Sequence, residues 1–451
     1  MPARAAGLYA AGVAPAHPAQ GINDAIAAAS PAAWALLSEL GRDSVYPPDI
    51  PFQAAQAKGK RWNATIGQIT DGHGRVLAPP SLARQVAALQ GDRNAALLYS
   101  PIDGREELRR RWQARHRPAT AADVPSSLPL VVAGLTHGLA LVADLFCDRG
   151  CAVVIPAPFW GNYRQIFALR RGGRIVAAEL YRSGSFDPAA LRAPLDALPP
   201  NEPAIVLLNL PANPVGYSPT APEADRLVGV LAAAAETRPL LVVCDDAYAG
   251  LVYEEGVPAD SLFWRLASAH PRLVPVKIDG CTKELVFFGG RVAFLTFPFA
   301  PDSPVTRALE SKTKCLLRAT IGSPVAVSEE IALAALASGS LEEETAEVRR
   351  VLAGRYRALR RALDGADPEI VRPLPFNSGC FALLELPSGL DAETVRRRLL
   401  DDFDTGVVSI GSRYLRIAYC SVAEDAIPEL VSRIEAGAKA ERDAPSPAHT
   451  A

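Results

Sequence analysis

Leu240-Leu241-Val242-Val243-Cys244-Asp245-Asp246-Ala247-Tyr248 is the stretch on which the fold turns. A short apolar run of leucine and valine, ended by polar residues, has the form of a strand buried on both faces. A carboxylate at such a buried strand end costs several kcal/mol unless it meets a cation. One of Asp245 and Asp246 therefore wants a positive partner.

The same texture recurs on both sides of this run. Strand signals stand at Leu130-Val131-Val132, Ala152-Val153-Val154-Ile155, Ile175-Val176, Ile205-Val206-Leu207-Leu208, Leu273-Val274-Pro275-Val276 and Val292-Ala293-Phe294-Leu295. Between them lie helical patterns at Gly138 to Phe146, Pro188 to Leu195, Glu223 to Ala235 and Ser261 to Ala269. Strands alternating with helices predict an α/β fold, with a large domain built on a mostly parallel, seven-stranded sheet covered by helices on both faces. After Phe299 long helical patterns run over Val305 to Ala319, Ser328 to Ala337 and Leu341 to Leu363, followed by short strand signals at Phe381 to Leu384 and Tyr414 to Ala418. These predict a smaller α+β domain. The expected division is an N-terminal arm and part of the small domain over 1–75, the large domain over 76–312, the small domain over 313–438 and a flexible tail over 439–451.

At 451 residues the chain suits two domains, and with 49% hydrophobic residues and a net charge of -2 it offers no electrostatic case for nucleic acid or membrane. Seven scattered cysteines read as reduced thiols in a cytoplasmic compartment, and six scattered histidines with no ligand spacing lead us to expect no metal. The first twenty residues, Met1 to Gln20, read as a loose arm and not as a signal peptide. No run is long and apolar enough to span a bilayer.

Polar motifs cluster after the strand runs. Gly134-Leu135-Thr136-His137-Gly138 sits between a strand and a helix, where free N–H groups favour an anion, although a Gly and a Thr there also make an ordinary turn and N-cap. His137 reads as a first-turn residue without chemistry. In Pro158-Phe159-Trp160-Gly161-Asn162-Tyr163, Trp160 offers a broad face for a flat ligand or for the core. Asn209-Leu210-Pro211-Ala212-Asn213-Pro214-Val215-Gly216 fixes the Asn213 amide at the carboxyl edge of the sheet, where ligands of open α/β sheets bind. Asn63 to Gln68, with Gly67, reads as a plain loop, and Tyr99 before Pro101 either packs or serves a site. Finally Asp279-Gly280-Cys281-Thr282-Lys283 and Glu284-Leu285-Val286-Phe287-Phe288-Gly289-Gly290-Arg291 carry a lysine in a small polar turn with an arginine eight residues on.

These motifs, in this order from about Asn63 to Arg416, resemble the fold-type I, class I/II aminotransferases, which use pyridoxal 5'-phosphate. The resemblance implies that Lys283 forms the internal aldimine and acts on the Cα carbanion chemistry as base, that Arg291 binds the cofactor phosphate with Thr136 and the backbone of Leu135, and that Asp245 pairs with the pyridinium nitrogen. Tyr248 and Asn213 are similar to the residues that contact the ring hydroxyl oxygen, and Trp160 to the aromatic that stacks on the ring. Tyr99 resembles the tyrosine that reaches the phosphate of a neighbouring subunit, which implies a homodimer with shared active sites. Arg416 resembles the arginine that grips the substrate α-carboxylate, with Gly67 beside it.

The chain departs from the family pattern at Gly280, where many relatives carry a serine three positions before the lysine. Cys281 reads as a small packing residue, and Arg318 as an exposed helix charge in preference to a distal substrate contact. The expected activity is transamination between an α-amino acid and a 2-oxo acid, within amino acid metabolism. The alternatives are elimination, γ-replacement, C–C bond formation or racemisation on the same fold, and more distantly a non-catalytic regulator.

Overall fold

The computed structural model describes residues 20–30, 34, 37, 39–43, 49–88, 94–182 and 184–444. The seven apolar runs form one sheet: β1 (Leu130–Val132), β2 (Ala152–Pro156), β3 (Arg174–Ala178), β4 (Ala204–Asn209), β5 (Leu240–Asp245), β6 (Leu273–Gly280) and β7 (Ala293–Thr296). Their spatial order is β1-β7-β6-β5-β4-β2-β3. From β6 to β3 all neighbours are parallel, and β7 runs antiparallel to both β6 and β1. Side chains alternate between the two faces, as strand geometry requires. Val206 and Leu208 of β4 enter one core layer with Val242 of β5, while Ile205 and Leu207 enter the other with Val243. Burial on both faces is why these strands read as continuous apolar runs and not as alternating ones.

Chain order runs from β2 outward to β3, then returns to β4 on the other side of β2. The loops after β2 and β4 therefore flank a switch point at the carboxyl edge of the sheet, where a crevice opens in such folds. Helices α1 (Glu106–His116), α2 (Leu135–Phe146) and α3 (Ala221–Ala235) cover the sheet. The start of α3 is fixed by a capping box, in which the Thr220 N–H and hydroxyl both donate to Glu223 at 2.8 and 2.9 Å. One helical expectation holds and one shrinks. Pro188 to Leu195 is helical as far as Asp196, a 3₁₀ turn over Pro188–Leu191 running on into the α-helical Arg192–Asp196, whereas Ser261 to Ala269 reduces to the single turn Phe263–Leu266. Phe263, Trp264 and Leu266 are all buried, so the latter segment lacks the polar face that would sustain a surface helix.

Helices α4 (Pro304–Thr320), α5 (Ala326–Leu336) and α6 (Leu341–Asp364) lead to a four-stranded antiparallel sheet of β8 (Arg372–Pro373), β9 (Ala382–Glu385), β10 (Val408–Ile410) and β11 (Tyr414–Ile417), in the order β8-β9-β11-β10. Helices α7 (Ala392–Asp402) and α8 (Ile427–Arg442) pack on it. The early strand Trp62–Asn63 pairs with Thr405–Gly406, and Ala64 joins the same small core.

Two expected boundaries need correction. Leu317 of α4 packs in a large-sheet core, and Ile331, Ala332, Ala335 and Leu341 pack with Leu108, Trp112 and Phe294. The small core takes up α6 only at Tyr356, so the division falls within α6 and not after 312. The tail expected from Lys439 is helical as far as Arg442, because Ala438 is buried and Glu441 accepts from Arg398 at 2.5 Å. The arm over 1–19 and the chain after 444 lie outside the described residues. Among the described residues no helix is long and apolar enough to cross a membrane, and no group of three or more His, Cys, Asp or Glu side chains could hold a metal ion.

Candidate active site

The site begins where β4 and β5 end. Asn209, the last residue of β4, donates from Nδ2 to the Asp245 carbonyl at 2.8 Å and accepts from the Asn213 N–H at 2.7 Å. One side chain thus ties the end of β5 to the loop that presents Asn213. Asp245 is 3% exposed and accepts from the Tyr163 hydroxyl at 2.5 Å and the Ala247 N–H at 3.2 Å. Burial pushes its carboxyl up to about 6, with those two hydrogen bonds opposing the shift.

The positive partner expected for the aspartates takes an unexpected form. Asp245 meets the neutral phenol of Tyr163. Lys277, the ammonium in the field of Asp246, is bonded to Asp279 instead. Burial lifts the Asp246 carboxyl to about 7, and its Oδ2 lacks a hydrogen-bond partner. Among the described residues the hydrogen bonds to the Asp245 carboxylate come from neutral donors, Tyr163 and the Ala247 N–H.

Lys283 sits in the helical turn Cys281–Glu284 directly after β6. Its Nζ donates to the Gly67 carbonyl at 2.7 Å and lies 4.6 Å from the Phe288 ring centroid and 5.6 Å from that of Tyr248. Burial lowers its pKa, and Arg416 and Arg291 push in the same direction. Tyr248 is itself buried, edge-on to Phe381 at 5.5 Å.

The Gly280 departure has a steric cause. A Cβ there would stand 2.7 Å from Ala293 Cα and 2.8 Å from the Val292 carbonyl on the paired strand. No serine fits without moving β7. Thr282, by contrast, holds a buried hydroxyl with no partner.

Gly134 precedes α2 with φ +82°, and a Cβ on it would lie 2.3 Å from Arg291 Nη2. The glycine lets the guanidinium lie against the start of the helix. The His137 and Gly138 N–H groups both bond back to the Gly134 carbonyl, which leaves those of Leu135 and Thr136 facing outward. Two amides, a helix N-terminus and a guanidinium make a cradle for a phosphate-like anion. His137 bonds the Ala133 N–H at 3.1 Å and meets Thr320 at 2.9 Å, a bracing role and no chemistry.

Arg416 comes from β11 and is 2% exposed. Its Nη1 donates to Asn213 Oδ1 at 3.1 Å and its Nη2 to the Thr65 carbonyl at 2.6 Å, while Nε has no partner. The guanidinium lies 4.4 Å over the Phe381 ring, and that ring in turn abuts Gly67 so closely that a Cβ there would be 2.5 Å from it. Burial pulls the Arg416 pKa down to about 10. A buried cation held only by neutral acceptors costs several kcal/mol unless a carboxylate joins it.

The structure therefore brings together Lys283, Tyr248, Asp245, Asn213, Arg416 and Gly67, with Leu135, Thr136 and Arg291 forming the anion cradle. Trp160 is half-buried and touches this group through Tyr163, edge-on at 5.4 Å. Tyr99 stands apart, 97% exposed. Arg318 is an exposed charge on α4, as read from the sequence. Four contributors escaped the sequence reading: Tyr163, Asn209, Phe381 and the Thr65 carbonyl. Tyr163 lay three residues beyond Trp160 in a stretch already singled out, and Phe381 opened a strand signal, but neither carries a mark of its contacts.

Comparison with known proteins gives the family of the chain. The family described as aminotransferase class I and II matches residues 63–434. The 2-aminoadipate transaminase of Thermus thermophilus is 29% identical over 374 residues, covering 79% of this chain and 86% of that protein. An aspartate aminotransferase of Rhizobium meliloti is 27% identical over 357 residues, 76% of this chain and 82% of that protein. Among solved structures, the α-aminoadipate aminotransferase of Thermus thermophilus, complexed with N-(5'-phosphopyridoxyl)-L-leucine, is similar with a TM-score of 0.67 and 25% identity, over 87% of this chain and 97% of that one. An aminotransferase of Anaerococcus prevotii shares the fold with a TM-score of 0.76 at 18% identity, over 89% of this chain and 98% of that one.

Proposed function

The chain belongs to the class I and II aminotransferase family, and on that premise we propose that it moves the amino group of an α-amino acid to a 2-oxo acid at the site built around Lys283. The cofactor of such an enzyme is pyridoxal 5'-phosphate. The observation that carries the residue-level reading is Arg416, a buried guanidinium with a partnerless Nε and only neutral acceptors, in the same pocket as the half-buried Lys283. A substrate α-carboxylate supplies what Arg416 lacks, and the planar fork suits it bidentately.

The residues present fit the cofactor. The Gly134 cradle, with Arg291 and the Leu135 and Thr136 amides, would hold the phosphate, and the free Thr282 hydroxyl adds a donor that does not depend on position 280. Asp245 would meet the ring nitrogen, Tyr248 and Asn213 the ring oxygen, and Trp160 the ring face. Bound there, pyridoxal phosphate supplies the electron sink that makes the substrate Cα proton removable.

The chain's own residues do the rest. Arg416, aimed by Asn213 and Thr65 and supported by Phe381, orients the substrate through its carboxylate. Lys283 Nζ, which burial makes easier to deprotonate, removes the proton from Cα and later returns one. Tyr163 holds the Asp245 carboxylate in place and keeps water from it.

Affinity for pyridoxal phosphate is expected to be full above about pH 6 and to weaken as pH falls through that value, because Asp245 then takes up a proton and loses the charge that a cationic ring nitrogen needs. Asp245→Asn should lose this step. It should also bind the cofactor about 10–100-fold more weakly near pH 8, since hydrogen bonds to charged groups contribute about 1.5–3 kcal/mol. Titrating both proteins across pH isolates the Asp245 component from the ligand's own ionisations. Equal pH profiles for the two would contradict the assignment.

Tyr99 fits a shared site between two copies of the chain. With Leu97 74% and Leu98 67% exposed beside it, this apolar tripeptide is a surface that a second copy would cover, placing Tyr99 at the partner's phosphate. Sedimentation is expected to give a dimer at micromolar concentration, and a monomer that retains full activity would refute it. Seven free cysteines support a reducing, cytoplasmic setting.

The activity itself is tested with the cofactor-loaded protein, a panel of ¹⁵N-labelled amino acids and a 2-oxo acid acceptor. Label appearing in the newly formed amino acid supports transamination. Label released only as ammonia would favour elimination instead.

A further inference from the structure

Helix α1 packs behind the lysine turn, away from the ligand groove, and the activity described so far gives it no part. Trp112, Arg115 and His116 stand at i, i+3 and i+4 and so share one face of that helix. The Trp112 indole N–H donates to Asp279 Oδ1 at 3.1 Å, Arg115 Nε donates to Glu284 Oε1 at 2.7 Å, and His116 Nε2 lies 3.1 Å from Glu284 Oε2. Asp279 and Glu284 bracket the turn, one before Gly280 and the other immediately after Lys283.

This is not a solvated surface pair. Trp112 is fully buried and stacked on Phe294 of β7 at 4.4 Å, Asp279 is 1% exposed, and the side chains of Arg115 and Glu284 are each 11% exposed. Burial alone would raise the Glu284 carboxyl, but His116 and Arg115 outweigh it and hold the group down at about 2. Asp279 is fixed from its other side by Lys277, and Arg115 also pairs with Glu342 in the first turn of α6. Between the two anchored carboxylates, the backbone of the turn has no room to shift without breaking a charged, buried contact.

We propose that Trp112, Arg115 and His116 are positioning residues that clamp both ends of the Lys283 turn through Asp279 and Glu284, and thereby place Lys283 Nζ. This rests on reading Lys283 as the reacting amine. The Lys283 stem is flexible, so the reach of its Nζ toward Cα is set by where the turn holds its backbone. A displacement of about 1 Å far from the chemistry can cost on the order of 10²-fold in rate.

The test uses Glu284→Gln, Arg115→Gln, their double variant and Trp112→Phe, the last keeping an aromatic ring against Phe294 while losing the Asp279 bond. Arg110→Ala, an exposed residue of α1 paired with Glu106, is the control. Each clamp variant is expected to lower kcat about 10–100-fold with KM changed by less than about threefold, because the loss is one of placement and not of substrate binding. The double variant should be no worse than the more impaired single by more than about threefold, since the two residues act as one unit. Hydrogen exchange of the purified full-length chain should quicken at the Cys281, Leu285 and Phe287 amides, which bond to Val292 and Cys281 carbonyls, and not in the small domain. That readout needs no turnover, so it tests the clamp even where the role of Lys283 fails. Wild-type kcat in the single variants, or exchange at these three amides unchanged while only the melting temperature falls, would overturn the proposal.

Discussion

Lys283→Ala is expected to lower kcat by at least about 10²–10⁴-fold, the usual worth of a positioned proton-transfer group, and by more if the amine is also lost as an anchor. The protein should stay folded. The side chain makes one hydrogen bond, to the Gly67 carbonyl, and ring contacts to Phe288 and Tyr248. The backbone bonds of the turn, Cys281 N–H to Val292 and Leu285 N–H to Cys281, do not involve it. A melting temperature within about 4 °C of the parent is therefore expected, the shift that about 1 kcal/mol produces in a chain above 150 residues. The phosphate cradle at Gly134 and Arg291 is untouched, so the variant should still take up pyridoxal phosphate while losing the visible absorbance of the lysine-bound form. Steady-state rates and a spectrum of the same sample check both halves. A variant that keeps a wild-type kcat would show that another base does the work.

Arg416→Lys is expected to lower kcat/KM by about 10²–10³-fold, most of it as a raised KM, because truncating one member of a buried, hydrogen-bonded charge pair costs about 2–5 kcal/mol. Charge is conserved in this substitution, and what is lost is shape. The guanidinium reaches Asn213 Oδ1 and the Thr65 carbonyl while stacked on Phe381, and still has a free Nε. A lysine ammonium cannot keep those partners and offer two parallel donors to a carboxylate. The penalty should vanish for a primary amine that lacks the α-carboxylate, which separates loss of carboxylate binding from general damage. Equal penalties for both substrates would remove Arg416 from that role.

The central sheet was legible because parallel strands buried on both faces leave unbroken apolar runs, and all seven runs became strands. The second half was less so. Helices α7 and α8 carry many charges, and β8 and β10 are only two and three residues long, too short for a period-2 pattern to show. The division inside α6 was hidden because one amphipathic helix serves two cores in turn. At the site, positions at strand ends could be read, since a polar residue that stops a buried strand must face the carboxyl edge. The partners could not. One of the two aspartates called for a cation; Lys277 acts on Asp246 through its field alone, while Asp245 meets the neutral phenol of Tyr163, a partner that no spacing in the sequence marks. Phe381 looked like any strand residue until Gly67, without a side chain, let its ring slide beneath Arg416. Nothing in the run of charges along α1 marks Arg115 and His116 as inward-facing, and only the tertiary fold turns them to Glu284.

The most direct measurement is a single half-reaction: cofactor-loaded protein mixed with one amino acid at a time, without any 2-oxo acid, followed by counting products per active site. One equivalent of the matching 2-oxo acid, no ammonia, and turnover that resumes only when a 2-oxo acid is added are the results predicted for amino-group transfer at Lys283. Continuous product formation from the amino acid alone, with ammonia or an inverted amino acid released and the starting spectrum restored, would contradict it.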